Sequence, residues 1–353
     1  MTLTRTRLLV LASALLLCAA APGAFPDGES PQVLHEFALP RHSGPRGIAI
    51  AGDGSLWVVE STANAIAHVD ATSGNVLGQF PIPTADAGAQ SIARGPGDTL
   101  VFTESKAAKI GTIAANGTIV EHDVGCSGCH PGPLAVDRAG NAWFGEINYD
   151  VDPNSPATSG RWGPNVIGRM SPDGRVAEFA VPTKEGYATS LVVARDGTIW
   201  FTEARPKIGH MASSGAMLGE ITTVGIHQTW IGEDAAGVLR VLSTDTERRE
   251  VGLTTLRQNA DGSYRATTSD YSPLPGRTNP VGGAFDRKGN IWFADFDANR
   301  VGRASENAPA AATDLNAARR ADGIGPSALA AAADGTLWIA ETLADRLVQI
   351  RPR

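Results

Sequence analysis

The chain has 353 residues, 42% of them hydrophobic, with 30 basic and 37 acidic side chains and a formal net charge of −7. That balance gives no basic stripe for nucleic acid, and the low charged fraction of 19% excludes an extended solvated polymer. Three cysteines are too few for a disulfide-built scaffold, so a hydrophobic core must carry the fold.

At the N-terminus Arg5 and Arg7 precede the apolar run Leu8–Ala21, which closes in small residues before Ala24-Phe25. This predicts a secretory signal peptide over residues 1–24, too short to span a bilayer unaided. Cys18 lies inside it behind the bulky Leu17, which favours soluble export over a lipid anchor. Removing the segment takes two basic residues and no acidic ones, leaving a charge of about −9. The expected product is one periplasmic or secreted domain over 25–353, monomeric and without stable membrane insertion.

From there one unit recurs, seen best in Asp196–Gly209, DGTIWFTEARPKIG. Asp-Gly supplies a tight turn, a short β-favouring apolar run follows, and Lys207–Gly209 starts another strand after a polar break. The positions matching Trp200 are Trp57, Val101, Trp143, Trp292 and Trp338, with Arg240 in a degenerate copy. Seven copies at a spacing of roughly 40–57 residues predict an all-β, seven-bladed β-propeller with four strands per blade. Leu34–Pro40 matches the outer strands of later units, whereas the last unit stops one strand short. The N-terminal strand therefore closes the ring.

The strands, lettered A to D from the centre outward, place the D–A and B–C loops on one face. Strand B ends on an acid in six units: Glu60, Glu104, Glu146, Glu203, Asp295 and Glu341. These acids are read as repeat-encoded, with a carboxylate ring near a channel mouth as the cation-attracting alternative. Two units depart from the pattern. Blade 3 carries a Pro- and Gly-rich insertion at 147–165, and blade 5 has a charged hairpin at Asp245–Arg249 and a longer run to Pro275.

Just before the third strand A stands Cys126-Ser127-Gly128-Cys129-His130. C-x-x-C-H is the attachment pattern of c-type haem: two thioethers from Cys126 and Cys129, and His130 as proximal iron ligand. A Cys126–Cys129 disulfide, structural or thiol-redox, is the alternative for the same pair. For a second axial ligand Met170, Met211 and Met217 read as blade packing. His227 occupies in blade 5 the register of His130 and is the candidate distal ligand or site base. The insertion offers Arg161 for a haem propionate and Trp162 for stacking.

Read as P-x-G-I, D-G-x-x-W-F-T-E, N-x-I-G-R and E-F-x-x-P, the repeats resemble the streptogramin B lyase (virginiamycin B lyase) family of seven-bladed propellers, from about His35 to Arg351. The resemblance implies magnesium-assisted opening of a cyclic depsipeptide at its ester, with Glu-x-His before an inner strand supplying the general base. The comparable stretch is Asn279-Pro280-Val281-Gly282, which has neither residue. Three functions are thus expected of the sequence: a haem c redox propeller with a small substrate or a redox partner protein, a haem-free magnesium-dependent lyase, or a binding propeller.

Overall fold

The structure, a computed structural model, describes residues 24–26, 29–97, 99–126, 128–150, 161–162, 165–183, 186–223, 227–245, 249–269, 272–274, 278–306, 308–313 and 323–353. The expected signal segment lies outside them apart from Ala24, as do most of the blade 3 insertion and the side chains of Arg161 and Trp162.

The Asp-Gly turns form as their residue types require. Gly54, Gly197 and Gly335 have φ of +88°, +85° and +86°, and Asp53 Oδ1 accepts from Ser55 N at 2.9 Å. Each turn joins an inner strand A to a strand B. In blade 1 the strands are Pro45–Ile50, Leu56–Glu60, Ala65–Val69 and Val76–Pro81, paired antiparallel in chain order. The remaining sheets repeat this meander, so the chain makes seven blades of four antiparallel strands. Blades 3 and 5 each add a two-residue strand.

The predicted ring closure is present. Gln32–Ala38, two residues earlier than the sequence reading placed it, pairs antiparallel with Arg346–Arg351 as the outer strand of blade 7. Farther upstream Phe25 stacks on Trp292 at 5.5 Å, and Glu29 pairs with Arg303 at 2.6 Å.

The core is divided among the seven blade junctions. Trp57, Trp143, Trp200, Trp292 and Trp338 each pack on the apolar residues of the next blade, Val101 does the same for blade 2, and Leu242 stands in the cluster between blades 5 and 6. The I-G-R glycine is a packing requirement. A Cβ on Gly111, Gly168, Gly209 or Gly302 would overlap the ring of Phe102, Phe144, Phe201 or Phe293 on strand B.

Blade 5 shows what replaces the Trp. In blades 3 and 6 the indole Nε1 donates to the turn aspartate, Trp143 to Asp137 at 3.0 Å and Trp292 to Asp286 at 2.9 Å. Arg240 Nε donates to Asp234 Oδ2 at 3.0 Å in the same way and reaches across to Glu306 of blade 6. Blade 5 thus keeps the bond to its turn aspartate without the Trp.

Candidate functional site

Blade 3 consists of Cys129–Val136, Ala142–Asp150, Val166–Met170 and Val176–Ala180. Its strand B runs on past the usual acid to Asp150, where Tyr149 and Asp150 pair with Trp162 and Arg161. The Pro- and Gly-rich insertion therefore begins as a prolonged β-hairpin. Its tip, 151–160, lies outside the described residues.

Gly125 and Gly128, with φ of +90° and +79°, turn the chain so that Cys126 and Cys129 meet, their Cα atoms 5.9 Å apart. The two are joined as a disulfide. Cys126 is half-buried, while Cys129, 2% exposed, sits in the junction between blades 2 and 3 among Val101, Ile110, Phe144 and Met170. His130 follows on strand A with Nδ1 2.8 Å from the carbonyl of Ser105 in blade 2. A carbonyl can only accept, which puts the imidazole proton on Nδ1.

The residue that completes this cluster is Glu146. It pairs in register with Pro131, is fully buried, and brings Oε2 to 3.4 Å from Cys126 Sγ, while Oε1 has no hydrogen-bond partner. One donor atom from each of Cys126, Cys129 and Glu146 falls within 4.8 Å of the others. Burial, then the nearby Glu178, pushes the Glu146 carboxyl up to about 8.

The other strand-B acids answer the question of the carboxylate ring. Glu60, Glu104, Glu203, Asp295 and Glu341 are all fully buried inside their blades rather than gathered at an open mouth, so that alternative is corrected. In blades 2, 4, 6 and 7 the start of strand C places a positive charge near the buried acid. Lys109 is paired in register with Glu104 and bonded to Glu121 at 2.9 Å. Lys207 bonds Glu220 at 2.7 Å, and its charge offsets a little of the upward shift that burial gives the Glu203 carboxyl. Arg300 bonds Asp295 at 2.9 Å and Arg346 bonds Glu341 at 3.1 Å. In blade 1, where Ala65 takes that place, Gln79 donates an amide to Glu60. Blade 3 instead sets Val166 against Glu146 and retains the strand-D acid Glu178.

A pH dependence follows. Burial, then Glu121, raises Glu104 to about 8; burial, then Glu220, raises Glu203 to about 7. The folded protein thus holds protons that the unfolded chain releases near 4.5, so the stabilising contribution is complete below that value and is lost as pH rises through 7–8. Each group accounts for up to about 1.4 kcal/mol per pH unit across that window. Thermal melts from pH 5 to 9 should fall progressively, and less steeply in Glu203→Gln. A flat profile in the wild type would contradict it.

On the innermost strands every blade carries a bulge, at Arg46, Gln90, Gly132, Thr189, Thr229, Val281 and Ser327. None is a carboxylate or an imidazole, and Val281, at the position comparable to the lyase base, is 42% exposed. This set does not fit a magnesium ion and a general base. His227 occupies the register of His130 two blades around the ring, paired with Thr244 as His130 is with Ile147, and is exposed. Met170 and Met211 are buried in separate blade junctions and Met217 is packed beside Met211.

The strand order and register define a seven-bladed β-propeller of four-stranded antiparallel blades. The Virginiamycin B lyase family model matches residues 28–151. A virginiamycin B lyase of Nocardia farcinica is 28% identical over 202 residues, 49% of this chain and 68% of that protein. Among solved structures, virginiamycin B lyase from Staphylococcus aureus superposes with a TM-score of 0.73 at 22% identity, covering 92% of this chain and 100% of that one. A hydrazine synthase chain of Kuenenia stuttgartiensis has the same general fold, with a TM-score of 0.65 at 15% identity over 93% of this chain and 99% of its own. The chain resembles the streptogramin B lyase propellers.

Proposed function

We propose that this chain is an exported redox propeller whose working centre is the Cys126–Cys129 pair, exchanging electrons with a partner protein or a small molecule. The observation that carries the reading is the asymmetry of the pair. Cys126 is half-buried at the surface of blade 3, Cys129 is sealed beneath it, and Glu146 stands within reach of both sulfurs. An incoming thiolate attacks Cys126 Sγ, the S–S bond breaks, and the electron pair leaves on Cys129 Sγ, which takes up a proton. A second thiolate of the donor then attacks the donor's own sulfur in the mixed disulfide and releases Cys126 as a thiol. Two electrons and two protons enter this pair while the donor dithiol becomes a disulfide. A redox titration read by thiol alkylation should find a midpoint in the range of exchange-active pairs, roughly −120 to −270 mV. A value below about −300 mV would make the bridge structural and end the proposal.

The C-x-x-C-H order supports a second form of the same centre, in which Cys126 and Cys129 would hold haem c by thioethers and His130 would be the iron ligand. Haem would supply one-electron chemistry at the iron. The bond from His130 Nδ1 to the Ser105 carbonyl favours this form, because it orients the ring and raises the basicity of Nε2. The packing of Cys129 opposes it, since a macrocycle attached there displaces the contacts of the blade 2–3 junction. Arg161, Trp162 and His227 are its proposed outer contacts. A Soret band surviving acid–acetone extraction establishes the haem form, and a colourless protein from a host that matures cytochromes eliminates it.

Lyase action on a streptogramin B is the activity that the relatives' names suggest, and magnesium-dependent opening of a cyclic depsipeptide is what the family resemblance implies. The S. aureus structures include a catalytically inactive histidine-to-alanine form with quinupristin. Without an acid or imidazole among the bulge residues, this chain should leave a streptogramin B ring closed at enzyme levels that give the S. aureus protein full turnover. For export, N-terminal sequencing of the periplasmic protein should begin near Phe25.

A further inference from the structure

Across the described residues, blades 2, 4, 6 and 7 place a lysine or arginine at the start of strand C beside the buried acid, and blade 1 places a neutral amide on it. Blade 3 alone keeps both the buried strand-B acid and the strand-D acid, sets Val166 where the cation stands, and brings two cysteines to the gap. Glu146 is fully buried and Oε1 is without a partner, while Oε2 is aimed at Cys126. A buried carboxylate without a counter-ion is costly, and the repeat shows the usual remedy.

We propose that, with the cysteine pair reduced, Cys126, Cys129 and Glu146 bind one divalent cation of borderline softness, zinc being the best match, so that the metal takes the place of the missing repeat cation. Two thiolates and a carboxylate are a zinc donor set, and three protein ligands leave a fourth position for water or an incoming ligand. Tetrahedral zinc, with bonds of about 2.0–2.3 Å, spaces its donors by about 3.3–3.8 Å. The donor atoms here, within 4.8 Å of one another, need only small side-chain movements to reach that spacing. Two-electron reduction of the bridge by a thiol or phosphine yields two thiols, and loading zinc displaces their protons into solvent. A disulfide oxidant reverses this: it takes the two electrons and becomes a dithiol, while the two thiolates form the S–S bond, cease to be donors and release the ion. The inference rests on the proposed reversibility of the pair and makes metal occupancy its readout.

The test uses the full mature chain reduced with a phosphine, zinc titrated against a chromophoric chelator, and cobalt(II) as a spectroscopic probe. We expect one zinc per reduced chain, none per oxidised chain, and thiolate-to-cobalt charge-transfer bands in the near ultraviolet. Glu146→Gln should weaken binding at least tenfold. Val166→Lys, which restores the residue type of Lys109 and Lys207, should do the same while keeping the wild-type circular dichroism spectrum. Absence of stoichiometric binding to the reduced chain, affinity unchanged in both variants, or cysteines already consumed by haem would each overturn the site. Measuring the midpoint potential separately, with chelator present, keeps the two proposals apart. A reversible pair without zinc binding removes only the metal site, whereas zinc on thiols that do not re-form the bridge removes only the redox function.

Discussion

Deleting residues 25–40 should leave a protein that melts far below the full-length mature chain or fails to fold. The deletion removes the whole outer strand of blade 7, including every partner of Arg346–Arg351 on that side, and uncovers two sheet positions at once. It also removes Phe25 and Leu39, both buried, and Phe37, which packs on Trp338 at 5.6 Å. Burial of each such side chain stabilises by about 1.5–3 kcal/mol. Arg346, itself buried, would lose Glu36 and keep only Glu341. The combined loss is comparable with the roughly 5–15 kcal/mol by which a whole domain is stable. Circular dichroism melts and size-exclusion chromatography of the two proteins decide the matter. If they melt together, the N-terminal strand does not close the ring.

Trp292→Ala should be the most damaging of the single repeat-Trp substitutions. The side chain is fully buried, fills the junction of blades 6 and 7, donates to Asp286 and carries Phe25 on its face. Truncating a buried Trp costs about 3–5 kcal/mol because the cavity closes only in part. A fall in melting temperature of about 4–7 °C follows for a chain of this size. Arg240→Ala in blade 5 makes a useful contrast. It removes no comparable apolar volume, but it leaves the buried Asp234 without its guanidinium, a penalty of about 1–3 kcal/mol. Should Arg240→Ala prove as severe as Trp292→Ala, blade junctions are held by polar contacts rather than by packing.

The architecture was legible because each blade repeats its own physical requirements. An Asp-Gly turn, a large side chain for the next blade and a glycine under the preceding Phe together exclude most alternatives, and the short final unit called for a strand from elsewhere. Blade 5 was harder to read, since Arg240 looks like a lost Trp until its bond to Asp234 is seen. At the site, Cys126, Cys129 and His130 stood out by spacing, yet spacing alone does not separate a thioether from a disulfide. Glu146 was passed over because it looked like five other acids. The signal that distinguishes it lies twenty residues away, where Val166 interrupts a series of lysines and arginines, and its meaning depends on the pairing of strands B and C.

The junction of the chain's two ends also orders events during biosynthesis. Glu36 and Arg346 are separated by 310 positions, so a strand made early pairs with one made much later. At about 5–20 residues per second, that strand waits roughly 15–60 s for its partner. Six blades can take shape before then, but the ring stays open until Arg346–Arg351 has been made. A chain stalled anywhere short of Arg346 is a horseshoe with two sticky rims, which makes truncated products of this gene natural substrates for proteolysis and holding chaperones.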